Sequence, residues 1–215
     1  MWWKPCRHNS IVFVTRKRRD ADPVVTRRAV DRDRRSSRRP IRLFCALHPT
    51  AQEASVLLDP LQKLEPLPEH RRMPVEQVHM TALFIGDVAQ QDLDEVKKSV
   101  KRTAIGVQPF DWQPDRIETL PGRGPVRTIA AVGPSSSTLD ELNRRLSQRL
   151  ARRSNRRAFF PHMTLARLKL PKSGFRIEHA ITVAPISFAT VQLMQSWLLP
   201  TGAEHQTVLE APLGG

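Results

Sequence analysis

Two stretches, Val78-His-Met-Thr-Ala-Leu-Phe-Ile-Gly-Asp87 and Phe159-Phe-Pro-His-Met-Thr-Leu-Ala-Arg167, share the triplet His-Met-Thr. Both run into apolar residues and read as β-strands. In a strand, residues i and i+2 point to the same side. Each stretch therefore shows one imidazole and one hydroxyl on one face: His79 with Thr81, and His162 with Thr164. Two such strands facing each other would surround one small anion with two imidazoles and two hydroxyls. That set suits phosphate ester chemistry and calls for no metal.

A lone His-x-Thr says little, and a single strand histidine is more often structural than catalytic. The pair carries more, because each histidine is also followed five residues later by a large functional side chain, Phe84 or Arg167. An odd offset puts that residue on the opposite face of a regular strand, so a bend or bulge is required, or the side chain has another job. Arg167 is suited to neutralising phosphate charge or lying against a base, and Phe84 to stacking on a base or packing in the core. Imidazole titrates near neutral pH, so one histidine can take a proton from water while the other gives one to the departing alkoxide. Threonine hydroxyls can hold the non-bridging phosphate oxygens. No carboxylate cluster or His-x-His spacing accompanies them, so neither a metal site nor a cofactor is expected. His8, His48, His70, His179 and His205 lack these flanks and read as surface or incidental. Trp112 and Trp197 read as core residues of strands.

Outward from the motifs, residues 41–47 (IRLFCAL) form a buried strand. A helix covers 50–64, started by a Thr50/Glu53 capping box and kinked or stopped at Pro60. A helix over 90–100 follows the first motif, with Leu93, Val96 and Val100 on one stripe. Residues 110–120 and 126–132 pair as a hairpin around Pro121-Gly-Arg-Gly-Pro125. The clearest helix is 137–151, with Leu139, Leu142, Leu146 and Leu150 on one side. Four arginines at 152, 153, 156 and 157 precede the second motif strand (162–168), and a loop surrounds 171–174. A long strand over 186–198 and a short one over 205–209 complete the chain. Hairpins among helices indicate an α+β fold with mainly antiparallel sheet, and the repeated motif strand indicates two lobes.

The chain has 215 residues and a net charge of +14. Residues 1–40 hold 13 Lys/Arg against 4 Asp/Glu, a net of +9, while residues 41–215 hold 22 against 17, a net of +5. The composition break at Arg39-Pro40 separates an Arg-rich extension from a mildly basic domain over 41–215. The excess charge favours a polyanionic partner, RNA above all. The extension reads as a disordered, solvated tail. A targeting segment and an over-extended start remain open, although Asp20, Asp22, Asp31 and Asp33 speak against a mitochondrial presequence. No apolar run approaches the ~20 residues that span a bilayer, so no membrane partner is expected. Cys6 and Cys45 form no framework, which points to a reducing compartment without disulfides.

From residue 41 to residue 213 the chain resembles the RNA 2′,3′-cyclic phosphodiesterase (2′–5′ RNA ligase) family of the 2H phosphoesterases. The resemblance lies in Arg42-Leu-Phe-Cys-Ala-Leu47, both motif stretches, Leu193-Met-Gln-Ser196, Pro200-Thr-Gly-Ala203 and Pro212-Leu213. It implies a bilobal, pseudo-twofold α+β fold with both motifs lining a central cleft. It also implies metal-independent hydrolysis of a terminal 2′,3′-cyclic phosphate to a 2′-phosphomonoester, with an associated capacity for 2′–5′ ligation. By position, His79 would be the acid on the 3′-oxygen and His162 the base on water. Thr81 and Thr164 would grip the phosphate, and Phe84 and Arg167 would contact the terminal nucleotide. Ala82, Gln195 and His205 depart from what is common in the family, and residues 1–40 have no counterpart there. The expected protein is a cytoplasmic monomer acting on RNA ends, tRNA fragments among them, with no obligate protein partner. Two rival readings are a non-catalytic RNA-end-binding module and the same chemistry on a small cyclic-phosphate nucleotide.

Overall fold

The computed structural model describes residues 39–64, 66–151, 158–199 and 202–214. Nearly all of the Arg-rich extension, and the whole arginine run at 152–157, lie outside the described residues.

Strand β1 (Ile41–Leu47) is buried from Leu43 to Leu47 because both of its faces are covered. Leu43, Cys45 and Leu47 enter the main core, while Phe44 and Ala46 join a small cluster with Met194 on the other face. Burial pushes the Cys45 thiol up to about 12, leaving it protonated and unreactive. Helix α1 (Ala51–Leu58) starts at the expected box: Thr50 Oγ1 accepts from Glu53 N at 3.2 Å, and Glu53 Oε2 accepts from Thr50 N at 2.7 Å. It stops at Asp59, and Pro60 opens the separate short helix α2 (Pro60–Lys63), where a missing N–H costs nothing.

Nine strands form one antiparallel sheet in the order β11-β10-β1-β3-β7-β6-β5-β8, with β2 (His70–Arg72) also on β7. The others are β3 (Met80–Val88), β5 (Arg116–Leu120), β6 (Val126–Val132), β7 (His162–Lys172), β8 (Glu178–Ala180), β10 (Thr190–Leu199) and β11 (Gly202–Pro212). The two motif strands meet at a single pair, Met80↔Met163. Four strands (β11, β10, β1, β3) stand on one side of that pair and five (β7, β6, β5, β8 and the added β2) on the other, with the two motif strands innermost. This is the bilobal, pseudo-twofold α+β arrangement that the resemblance implies. Helices α3 (Leu93–Ile105) and α4 (Ser137–Leu150) pack on each other, α3 against β10 and β11 and α4 against β3. Leu139, Leu142 and Leu146 of α4 are fully buried.

Several boundaries differ from the sequence reading. The 90–100 helix begins as a 3₁₀ turn at Gln90–Asp92 and continues to Ile105. The single extended segment at 110–120 is two strands, and the long strand at 186–198 is also two. The extra pieces, β4 (Phe110–Trp112) and β9 (Ile186–Phe188), form a separate two-stranded sheet. Strand β7 extends into the expected loop as far as Lys172, leaving Ser173 and Gly174 as a bend, and β11 spans eleven residues. Trp112 is core as expected, its Nε1 donating to Pro134 O at 3.0 Å. Trp197 is not core: it lies on β10 and is 39% exposed.

Candidate active site

The odd offset in each motif is resolved by a bulge at the same place in both. In β3 the register with β1 steps from Ala46↔Thr81 to Cys45↔Leu83, passing over Ala82. In β7 the register with β6 steps from Ala130↔Thr164 to Ile129↔Ala166, passing over Leu165. Each bulge sits three residues after its histidine and turns the fifth residue back onto the histidine's face. Both bulged carbonyls are satisfied. Ala82 O accepts from Asn143 Nδ2 at 2.6 Å, and Leu165 O accepts from Met73 N at 2.8 Å. As a result His79, Thr81, Phe84, His162, Thr164 and Arg167 all line one cleft of about 910 Å³. All six residues singled out by the motifs are thus brought together. Phe84 is 66% exposed, which removes the core reading for it.

The imidazoles are held alike. His79 Nδ1 donates to Gln77 O at 2.7 Å and His162 Nδ1 donates to Phe160 O at 2.9 Å. Each partner lies two residues before its histidine. A carbonyl can only accept, so the proton is fixed on Nδ1 and Nε2 is left for the cleft. A neutral ring then offers a base there, and a protonated ring an acid.

The environments differ. His79 is half-buried, with Phe44 5.3 Å away between ring centroids, His48 at 5.4 Å and His205 edge-on at 5.5 Å. Burial pushes its pKa down to about 4. The Gln77 hydrogen bond opposes this, and the charges of His48, His205 and Arg167 add to it. His48 is likewise lowered to about 4, by burial and then by His205. His205 is lowered by burial and by Arg167. The reading of His48 and His205 as incidental is therefore corrected. They come from the end of β1 and from β11, elements far from the motif in sequence, and only the sheet brings them to His79. Phe160 packs 5.8 Å from His162, and Arg42 and Arg71 also line the cleft. Arg42 and Phe160 lie in stretches that carry the family resemblance without being marked there as site residues, and Arg71 carries no local sequence signal. Among the described residues, no group of three His, Cys, Asp or Glu side chains is placed to hold a metal ion. No described helix is long and apolar enough to cross a membrane.

A sequence model described as the 2′-5′ RNA ligase superfamily matches residues 49–194, a span that holds both triplets. The chain is 26% identical over 135 residues to the RNA 2′,3′-cyclic phosphodiesterase of Methanothermobacter thermautotrophicus, covering 59% of this chain and 73% of that protein. It is 26% identical over 143 residues to the protein of the same description from Methanocaldococcus jannaschii, covering 63% and 80% respectively. In fold it is similar to TT0787 of Thermus thermophilus, with a TM-score of 0.69 and 22% identity over 81% of this chain and 98% of that one. Escherichia coli LigT superposes with a TM-score of 0.64 and 20% identity over 82% and 99%.

Proposed function

Since the chain belongs to the 2′-5′ RNA ligase superfamily, we propose that it hydrolyses the 2′,3′-cyclic phosphate at an RNA end to a 2′-phosphomonoester, without a metal. The observation that carries this reading is the pair of imidazoles, each tied through Nδ1 to the carbonyl two residues before it. Each keeps Nε2 for a shared cleft that also holds Thr81 and Thr164. The cyclic phosphate sits between the rings, its non-bridging oxygens accepting from the two hydroxyls. His162 Nε2 takes a proton from water as the water oxygen attacks phosphorus. The bond from phosphorus to the 3′-oxygen breaks, and His79 Nε2–H protonates that oxygen. Phe84 offers its exposed ring to the terminal base, and Arg167 its guanidinium to the nucleotide. With a 5′-hydroxyl in place of water, the same displacement forms a 2′–5′ bond. In this reading the chain acts alone on RNA ends in the cytoplasm.

As an acid His79 has to be protonated, which its surroundings oppose in the free protein. The bound phosphate anion supplies the opposite charge that reverses this. The test is turnover of an oligonucleotide ending in 2′,3′-cyclic phosphate, with the product position read against 2′- and 3′-phosphate standards. Binding without turnover would leave a non-catalytic end-binding module in its place.

A further inference from the structure

A second cavity, of about 700 Å³, opens beside the cleft, along β3 where that strand parts from β7 after the Met80↔Met163 pair. It shares Thr81, Phe84, Phe160 and His162 with the cleft, but His79 is not among its described lining residues. In the displacement proposed above, His79 serves the departing 3′-oxygen and His162 the incoming oxygen, and these two oxygens stand roughly in line through phosphorus. The ribose that owns the 3′-oxygen therefore lies on the His79 side. A cavity that reaches His162 without His79 lies on the side from which the nucleophile comes. A water takes about 30 Å³, so the room there is far more than hydrolysis uses. The walls decide what fits. The cleft gathers Arg42, Arg71 and Arg167, whereas the described residues lining the second cavity include no Lys or Arg and do include the carboxylate of Asp87. A phosphate is poorly served there, and an uncharged nucleoside is well served. Phe160 is 43% exposed, with its ring 5.8 Å from the His162 imidazole. A base stacked on that ring brings its own ribose towards the imidazole.

Resting on the cyclic phosphodiesterase reading above, we propose that this cavity is an acceptor subsite, which seats the first nucleoside of a second RNA strand that begins with a 5′-hydroxyl. The 5′-oxygen attacks phosphorus while His162 Nε2 takes the hydroxyl proton. The bond from phosphorus to the 3′-oxygen breaks, and His79 Nε2–H protonates that oxygen. One phosphodiester bond forms as another breaks, so the joining balances without a co-reactant. The test follows initial rates on an oligonucleotide ending in 2′,3′-cyclic phosphate, with rising amounts of a 5′-hydroxyl oligonucleotide, and separates the 2′–5′ joined product from the hydrolysed one. Ala158 is exposed and lines the second cavity but not the cleft, so Ala158→Trp fills the acceptor's place. In the full chain joining saturates with the acceptor. Ala158→Trp lowers joining by about tenfold or more, the worth of a lost stack, and keeps hydrolysis near the full-chain rate. Ala158→Ser retains both. No joining by a full chain that hydrolyses, joining that never saturates, or an unchanged ratio of joining to hydrolysis in Ala158→Trp overturns the subsite. Joining and hydrolysis falling together in Ala158→Trp also overturns it, since the cavity then has no separate role. Neither product from the full chain is a distinct result, which defeats the catalytic reading and the subsite with it.

Discussion

Filling the cleft with an anion should make His79 take up a proton. In the free protein, burial and neighbouring charges hold its pKa at about 4, against an ordinary value of 6.5. A phosphate monoanion about 4 Å from the ring, at an effective dielectric constant of about 20, stabilises the imidazolium by about 4 kcal/mol. At 1.36 kcal/mol per pKa unit that raises the pKa by about 3, to about 7. His79 would then be neutral when empty and half protonated near neutrality when loaded, as proton donation to the 3′-oxygen requires. The assay is an NMR titration of 15N-labelled imidazoles with and without saturating adenosine 2′-phosphate. Resonances are assigned through His48→Gln and His205→Gln, since those rings titrate beside it. If His79 stays near 4 with the nucleotide bound, it is not the acid at neutral pH. Proton donation would then pass to His162, and the division of labour would be reversed.

Other expectations follow from the same geometry. Thr81→Val and Thr164→Val each remove a hydroxyl donor from the phosphate while keeping the side-chain shape, and each should lower kcat/KM by about tenfold to a hundredfold. Phe84→Ala should leave stability within about 0.5 kcal/mol, because the ring is exposed. It should raise KM on an RNA end by about tenfold through lost stacking, as read by steady-state kinetics. Acid should destabilise the fold. His79 and His48 are depressed in the folded state, so the unfolded chain binds their protons first. Their stabilisation is fully present above pH 6.5 and is lost as pH falls towards 4, by about 3 kcal/mol for His79 alone. Denaturant melts across that range should show it, and His79→Gln should flatten the curve.

What could be read from residues alone follows the range of the forces involved. The capping box at Thr50/Glu53, the stop at Pro60 and the leucine stripe of α4 are local, and all three appear as expected. The pairing of hydroxyl with imidazole is also local, because it needs only strand periodicity. The position of Phe84 and Arg167 needed the bulges at Ala82 and Leu165. Those are set by registers with β1 and β6 and by hydrogen bonds from Asn143 and Met73. Strand β2 is three residues long and mostly charged, so no apolar alternation announces it. The split of 186–198 between two sheets depends on pairing with β4, a partner more than seventy residues away. His48 and His205 reach His79 only through the sheet order, and no flanking pattern could have marked them.

In the proposed reaction His79 and His162 together open a cyclic phosphate. The most direct measurement is hydrolysis of an oligonucleotide ending in 2′,3′-cyclic phosphate by the full chain, His79→Ala and His162→Ala, each with and without EDTA. The full chain should give a 2′-phosphate product at a rate that EDTA leaves unchanged. Either folded variant should lose at least about a hundredfold in rate, the lower end of what general acid–base catalysis contributes. Full activity in either variant would contradict the two-histidine reaction.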